Sequence, residues 1–407
     1  MKNPFASISS LAPEVKKNVF ILSLAYFFIL FTYPFTRSAT QSIFLESYTA
    51  QDMPFTWFLS IITLTCAIYI SNWIQGKIGV HKLFSLVSLF SIALFGGGLV
   101  LYYGGVKEAA LAMFVWKEVY IVLLVHLFLG FCNNYFSYDQ IKLLYGPLGA
   151  IGSIGSIAGG QLTSLLAKTS GTNSILYASY FALLFAFLAF FKTRHLRYQE
   201  EQKEEKRKES PLAAIKDVKM YVFLIAAIIG LTQFVINIAD LQFNLIFEKV
   251  VETKDERSFY LGQLYSMMNV FALFVQFLIM PWLLKAISTR TAHLFVPLFY
   301  IVLVAFGFGL GGGMLWPIAI VFVSMKGTDY SLFAVVKELL YAPLSSAQKY
   351  GAKYIADMWT YRTAKALIAV LLMYVNNIVV LSSLQFLFLI MWLICVILVF
   401  RRFPKLG

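Results

Sequence analysis

The chain contains twelve apolar runs, each close to the length that a helix needs to cross a lipid bilayer. About 20 consecutive apolar residues are enough to span the hydrocarbon core. Hydrophobic residues make up 60% of the 407 residues and charged residues only 13%, whereas about 25% is usual for a soluble domain. The sequence therefore predicts an all-α membrane protein with twelve transmembrane helices. The runs lie at 17–36, 55–75, 82–103, 115–134, 143–166, 173–192, 219–245, 259–284, 291–312, 314–341, 352–375 and 379–400.

The most charged segment, 192–218, divides the predicted helices six and six. We predict an N-terminal half over 1–191, a charged cytoplasmic linker over 192–218 and a C-terminal half over 219–407. This layout resembles the major-facilitator architecture, in which two six-helix halves are repeats of one another.

The loops after helices 2 and 8 support an internal repeat. Lys77 and Lys82 are five residues apart, and so are Lys285 and Arg290 in the second half. Both tails and the loops after even-numbered helices carry most of the lysine and arginine, a bias that is typical of the cytoplasmic side. We therefore predict that both termini are cytoplasmic.

Small residues recur at four-residue spacing in predicted helix 5. Gly152, Ser156 and Gly160 form one such series, and Gly155 and Gly159 form another. This spacing lets two helix backbones approach closely in a membrane. The pattern therefore predicts a tight helix contact rather than a phosphate-binding loop, because no strand precedes it and no Gly-Lys-Ser/Thr follows.

Predicted helix 10 carries charges near the middle of the membrane. Lys326 lies about 15 Å along the helix axis from its outer end. Lys326, Tyr330, Phe333 and Lys337 are spaced by four, three and four residues, which places them on one helix face. Intramembrane charges are costly unless they have a partner or face a polar cavity. Two interpretations follow: internal ion pairs with nearby acids, or the positive wall of a cavity, which we favour.

Other predicted helices also contain charges. Arg37 ends the apolar part of helix 1, Glu118 starts helix 4, and Asp240 lies towards the outer end of helix 7. Lys353 and Asp357 are four residues apart on helix 11 and are placed to form an ion pair on one face. The candidate binding residues are Arg37, Lys326, Lys337, Lys353, Glu118, Asp240, Tyr33, Tyr330 and Trp359, with Gln41, Gln242, Asn244, Asp329, Glu338, Asp357 and Arg362 as secondary candidates.

The segment "YSLFAVVKELLYAPLSSAQKYGAKYIADMW" (330–359) resembles a signature of the nucleotide transporter family of plastids and intracellular bacteria, the ATP/ADP translocase type. That family's segment similarly has Tyr-Ser-Leu-Phe, Lys-Glu, Pro-Leu, and a lysine followed four residues later by an aspartate. Here the charged positions are Lys337, Glu338, Lys353 and Asp357, and Glu118 falls on the family's helix 4 glutamate.

The resemblance implies a nucleotide transporter of a bacterial inner membrane that works by alternating access. We expect a monomer among membrane lipids, with no cofactor, no metal, no nucleic-acid partner and no enzymatic activity. In a central cavity between the halves, the basic candidates would bind phosphates, and Tyr33, Phe243, Tyr330 and Trp359 would stack on a base. Glu118 and Asp240 would pair with basic residues or carry a proton.

Two departures from the family pattern leave the coupling open. The family usually has a lysine three residues after the helix 1 arginine, where this chain has Thr40, and a helix 7 glutamate, where it has Gln242 or Phe243. Exchange and proton-coupled import both fit. The alternative substrate is another organic anion such as a sugar phosphate, which needs the positive cavity but no base pocket.

Overall fold

The structure, a computed structural model, describes residues 13–196, 210–311 and 314–403; part of the predicted linker, 197–209, lies outside them. Twelve long helices run through the described residues, so the predicted all-α architecture is confirmed. They are α1 (Pro13–Ser47), α2 (Met53–Ile78), α3 (Val80–Tyr103), α4 (Glu108–Tyr135), α5 (Tyr138–Ser170), α6 (Thr172–Phe191), α7 (Lys219–Val250), α8 (Lys254–Phe274, Val275–Ile279 and Met280–Ala286), α9 (Thr289–Gly311), α10 (Leu315–Leu339), α11 (Ser346–Lys353, Tyr354–Thr360 and Tyr361–Leu372) and α12 (Ile378–Arg402).

Eleven of these helices, within the described residues, are long and apolar enough to cross a membrane. The exception is α11, whose first half carries Lys349, Lys353 and Asp357. These charged side chains lower the apolar content of α11, and charges within a membrane helix indicate a polar role. The molecule is an integral membrane protein.

Within the part of the chain that the structure describes, three helices contain a π-helical segment. These segments are Val275–Ile279 in α8, Asp329–Phe333 in α10 and Tyr354–Thr360 in α11. A π-helical turn adds a residue to the helix and changes which side chains share a face, and it is frequent at functional sites. Two of the three fall in the charged signature of α10 and α11.

The chain forms two compact units. Of the described residues, unit 1 contains 13–48, 62–196 and 252–269, and unit 2 contains 49–61, 210–251, 270–311 and 314–403. Each unit thus takes most of one sequence half and a short segment from the other. That the two sequence halves are repeats stays a prediction.

Each unit has its own apolar core, which also includes satisfied polar groups. In unit 1, the hydroxyl of buried Tyr120 lies 3.1 Å from that of Thr32 and 2.7 Å from that of Thr36. In unit 2, the Tyr221 hydroxyl donates to the Leu340 carbonyl at 2.7 Å. Buried polar groups are stable when hydrogen bonds replace those lost to water, so these contacts fix α4 against α1 and α7 against the end of α10.

The small residues of α5 lie against the backbone of α1, so the predicted tight helix contact is confirmed. A Cβ atom on Gly155 would collide with the Phe27 carbonyl, and one on Gly159 would collide with the Phe31 carbonyl. The obstacle in both cases is backbone, which cannot rotate away as a side chain can. Only glycine fits at these two positions.

Gly159→Ala is therefore expected to destabilise the protein. Overpacking a close contact costs about 1–3 kcal/mol, so the midpoint of thermal unfolding in detergent should fall. Gly149→Ala is the matched control, because Gly149 lies on the same helix with nothing within 4 Å of the added Cβ and alanine is the better helix former. Equal midpoints for the two variants would contradict the close contact.

Candidate functional site

Charged side chains of α10 and α11 form two ion pairs across these helices in unit 2. The Lys337 Nζ lies 2.8 Å from Asp357 Oδ1, and the Lys353 Nζ lies 2.6 Å from Glu338 Oε2. The predicted pairing of Lys353 with Asp357 along α11 is therefore wrong, because each side chain finds its partner on the facing helix. The four charges act as cross-links between α10 and α11.

A third pair joins α10 to α7. Lys326 Nζ lies 3.3 Å from Asp240 Oδ2, and the two side chains are only 13% and 14% exposed. The Asn244 amide nitrogen donates to Asp240 Oδ1 at 2.9 Å, so the carboxylate has a neutral partner as well as a cationic one. Lys326 lies well inside α10, as expected from the sequence. Charges so well shielded from water interact more strongly than exposed charges do.

Asp329 links the pairs electrostatically. This partly buried carboxylate interacts with the charges of Lys326, Lys337 and Lys365. The three lysines expected to form a positive wall are therefore each paired with a carboxylate. This is the internal ion pairing that the sequence analysis gave as the other interpretation. We call it the unit 2 charged cluster. Its members are Asp240, Lys326, Asp329, Lys337, Glu338, Lys353 and Asp357.

The predicted single stripe on α10 is interrupted by its π-helical segment. Tyr330 is exposed, whereas Phe333 is buried, with its ring centroid 5.4 Å from that of Trp392 in the core. Tyr330 and Phe333 of the predicted stripe therefore lie in different environments, one exposed and one in the core. Sequence spacing assumed an uninterrupted α-helix, and the π-helical segment changes that register.

Two of the aromatic candidates in unit 2 are accessible and one is not. Tyr330 and Trp359 are exposed. Phe243 is buried, and its ring stacks on that of Phe322 at 4.9 Å between centroids. The expected stacking role of Phe243 is therefore wrong, because its ring is packed in the core and has no exposed face for a base.

Two secondary candidates of unit 2 stand apart from the cluster. Gln242 is buried and donates to Ser382 Oγ at 2.6 Å, so it joins α7 to α12 and has a packing role. Arg362 is partly buried, and the described residues offer it no ion-pair partner. Of the helix 7 candidates, only Asp240 and Asn244 reach the charged cluster.

The turn after α10 adds a tyrosine to the surroundings of the cluster. Tyr341 is buried, and the Lys353 Nζ lies 5.4 Å from its ring centroid. Burial, reinforced by the negative charges of Asp357 and Glu338, raises the pKa of Tyr341. Its side chain is therefore neutral and presents a π face to Lys353.

In unit 1, Arg37 lies among aromatic rings. Its guanidinium carbon is 4.0 Å from the Tyr265 ring centroid and 5.6 Å from that of Tyr33. The Tyr265 hydroxyl donates to Gln41 Oε1 at 2.7 Å, so two sequence candidates, Arg37 and Gln41, contact one tyrosine that sequence reasoning missed. The predicted helix ended at residue 36, but α1 continues to Ser47, so that end is wrong and Arg37 lies inside the helix.

Glu118 also lies deeper than expected. The sequence placed it at the start of helix 4, but α4 begins at Glu108, ten residues earlier. Lys117 Nζ lies 2.7 Å from Glu118 Oε1, and the lysine is only 2% exposed. Sequence reasoning missed Lys117, although a lysine beside a glutamate in an apolar run is itself a signal of an intramembrane pair.

These residues suit anion binding. Lysine and arginine donate charge-assisted hydrogen bonds to phosphate and carboxylate oxygens. Among the described residues, no three His, Cys, Asp or Glu side chains gather as ligands for a metal ion would.

Comparison with solved structures identifies the fold as that of the major-facilitator transporters. The match to the nucleoside transporter NupG covers 95% of this chain and 98% of NupG, with a TM-score of 0.68 and 14% identity. The POT family transporter PepTSo matches over 96% of this chain and 98% of its own, with a TM-score of 0.67 and 12% identity. The xylose transporter XylE from E. coli matches over 94% and 95%, with a TM-score of 0.61 and 12% identity.

No protein-family model matches the sequence, and no curated protein matches it either. Identities of 12–14% to the solved structures support a common fold. The substrates of those proteins differ among themselves, so the fold alone does not choose a substrate.

Proposed function

We propose that this protein transports nucleotides across the membrane by alternating access, as an exchanger or a proton-coupled importer. The observation that carries the proposal is the unit 2 charged cluster. Three lysines of α10 and α11 are each paired with a carboxylate. A transporter of a polyanion needs such lysines, and it needs partners for them when the substrate is absent.

The ion pairs supply a physical basis for reversible binding. A buried charge that loses its partner is costly, whereas a paired charge is tolerated. Phosphate oxygens are able to replace the carboxylates as partners of Lys326, Lys337 and Lys353, because both are anionic acceptors. Binding then exchanges one set of ionic contacts for another, and neither state leaves bare charges in the membrane.

The choice of a nucleotide is supported by three further observations. The signature that contains Lys337, Glu338, Lys353 and Asp357 resembles that of the ATP/ADP translocase type. Tyr330 and Trp359, both exposed, are available to stack on a base as aromatic side chains do in other base-binding sites. One protein of similar fold, NupG, is a nucleoside transporter.

Asp240 gives proton coupling a structural candidate. A proton on this carboxylate would weaken its pairing with Lys326 and free the lysine for phosphate. Glu118, which pairs with Lys117, offers a second candidate in unit 1. We further propose a monomer in a bacterial inner membrane with both termini in the cytoplasm, as the distribution of basic residues indicates.

Uptake into proteoliposomes tests the proposal. Radiolabelled ATP should enter vesicles that contain the protein, and unlabelled ADP should compete, whereas inorganic phosphate and sugar phosphates should compete weakly. Preloading with ADP tests exchange, and an imposed proton gradient tests proton coupling. Equal competition by a sugar phosphate would favour the alternative, an organic-anion transporter. Absence of nucleotide uptake under both driving forces would refute the proposal.

A further inference from the structure

Helix α4 carries a groove that the proposed anion chemistry does not use. The cavity has a volume of about 450 Å³, within the range of about 300–1,000 Å³ that is usual for small-molecule pockets. All its lining residues belong to unit 1. They are Ile121, Val122, Val125, His126, Leu129, Gly130 and Asn133.

The groove lies on the face of α4 that also carries a charged side chain. Glu118 lies on the same side of α4, because Val122, Val125 and Leu129 follow it at helical spacing. A carboxylate inside a membrane helix faces a protein interior or a watery cavity, since exposure to hydrocarbon is costly. Asn133 lies on the same face, about 22 Å along the helix axis from Glu118.

Two polar side chains stand in the otherwise apolar lining. The Tyr145 hydroxyl donates to Asn133 Oδ1 at 2.6 Å, which orients the amide so that its nitrogen is left as a donor. No described residue accepts from that nitrogen or bonds to the His126 ring, and both side chains are exposed. An apolar surface with one fixed donor and one imidazole is suited to a flat, uncharged ring with hydrogen-bonding edges.

We infer that this groove binds the base of a nucleoside or nucleotide. The aliphatic side chains of Val122, Val125 and Leu129 would cover the face of the ring. His126 and the Asn133 amide would contact acceptors on its edge. The choice of ligand rests on the proposed function, but the groove contains no cation, so it would recognise the base and not the phosphates.

Gly130 allows the groove to be filled without disturbing the fold. A Cβ at Gly130 would meet nothing within 4 Å, so Gly130→Leu places its side chain in open space. Gly97→Leu is the matched control, because Gly97 is exposed on α3, also in unit 1, and its Cβ would likewise meet nothing within 4 Å.

Photolabelling of the purified protein tests the inference. The probes are azido derivatives of adenosine and uridine, each as the nucleoside and as the 5′-diphosphate. We expect label on the α4 peptide that contains 121–133, reduced at least about tenfold by Gly130→Leu and unchanged by Gly97→Leu. Asn133→Ala, which removes one hydrogen bond, should weaken nucleoside binding by about twofold to tenfold.

The competitors separate the possible occupants. Unlabelled nucleoside should displace the label, and tripolyphosphate, which has no base, should not displace the nucleoside probe. Label elsewhere, label that Gly130→Leu does not reduce, or label displaced only by added phospholipid would overturn the inference. Nucleotide uptake without labelling of α4 would refute base binding in the groove and leave the proposed function intact. Labelling of α4 by the nucleoside without nucleotide uptake would support base binding and refute the proposed function.

Discussion

Lys353→Ala is expected to reduce nucleotide uptake by at least about thirtyfold while the protein stays folded. Removing a charged group that contacts a bound anion costs about 2–5 kcal/mol, and each 1.4 kcal/mol is a factor of about ten. Its pairing with Glu338 is half exposed, at 46% and 48% for the two side chains, and such pairs contribute about 0–1 kcal/mol to stability. The lysine is therefore expected to matter for substrate rather than for fold.

Lys349→Ala is the matched control for this prediction. Lys349 lies four residues earlier on α11 and has no ion-pair partner among the described residues. Its loss should leave uptake close to that of the wild type. Glu338→Gln should retain binding, because it releases Lys353 without removing it. Near-normal uptake by Lys353→Ala, with normal expression and unfolding temperature, would exclude Lys353 from the site.

The fold follows from the sequence because its governing signal is simple. Apolar length alone identified the twelve helices, and the membrane imposes that length physically. The helix ends differ from the prediction: α4 begins at Glu108 and α1 ends at Ser47, beyond the apolar runs. Polar residues at a helix end continue the hydrogen-bond ladder without adding to hydropathy, so hydropathy underestimates helix length where polar residues cluster.

The candidate site was predictable in its residues but not in its pairings. An intramembrane lysine is a strong signal by itself, and Lys326, Lys337 and Lys353 all lie in the cluster. Their ion-pair partners depend on which helices pack side by side. Local sequence patterns do not give that information. The π-helical segments of α10 and α11 also change the register without a recognisable sequence mark, so spacing alone does not give the surroundings of Phe333.

The missed residues share a physical cause. Tyr265 contacts Arg37 and Gln41 from a helix distant in sequence, and a tyrosine in an apolar helix has no distinctive signal. His126 and Asn133 lack charged neighbours in sequence and become notable only because they line a groove on α4. Tertiary neighbourhood, rather than residue type, gives these side chains their candidate roles.

Variants of the Lys326–Asp240 pair should distinguish a loss of stability from a loss of substrate binding. Lys326→Met leaves Asp240 without its cationic partner in a site that is 13–14% exposed, and breaking a buried pair on one side costs about 3–5 kcal/mol. We expect a marked fall in the thermal unfolding midpoint in detergent, together with loss of nucleotide uptake. Asp240→Asn should lower the midpoint by less, because Lys326 loses its ion-pair partner at 3.3 Å but still interacts with Asp329.

The double variant Lys326→Met with Asp240→Asn distinguishes the two roles. Removing both charges together eliminates the uncompensated ion, and neutral replacement of a buried pair is often without cost to stability. The unfolding midpoint should therefore recover towards that of the wild type. Uptake should stay lost, because no cation is left at this position to bind phosphate. Recovery of uptake along with stability would mean that the pair only holds α7 to α10, and substrate binding would then have to rest on Lys337 and Lys353.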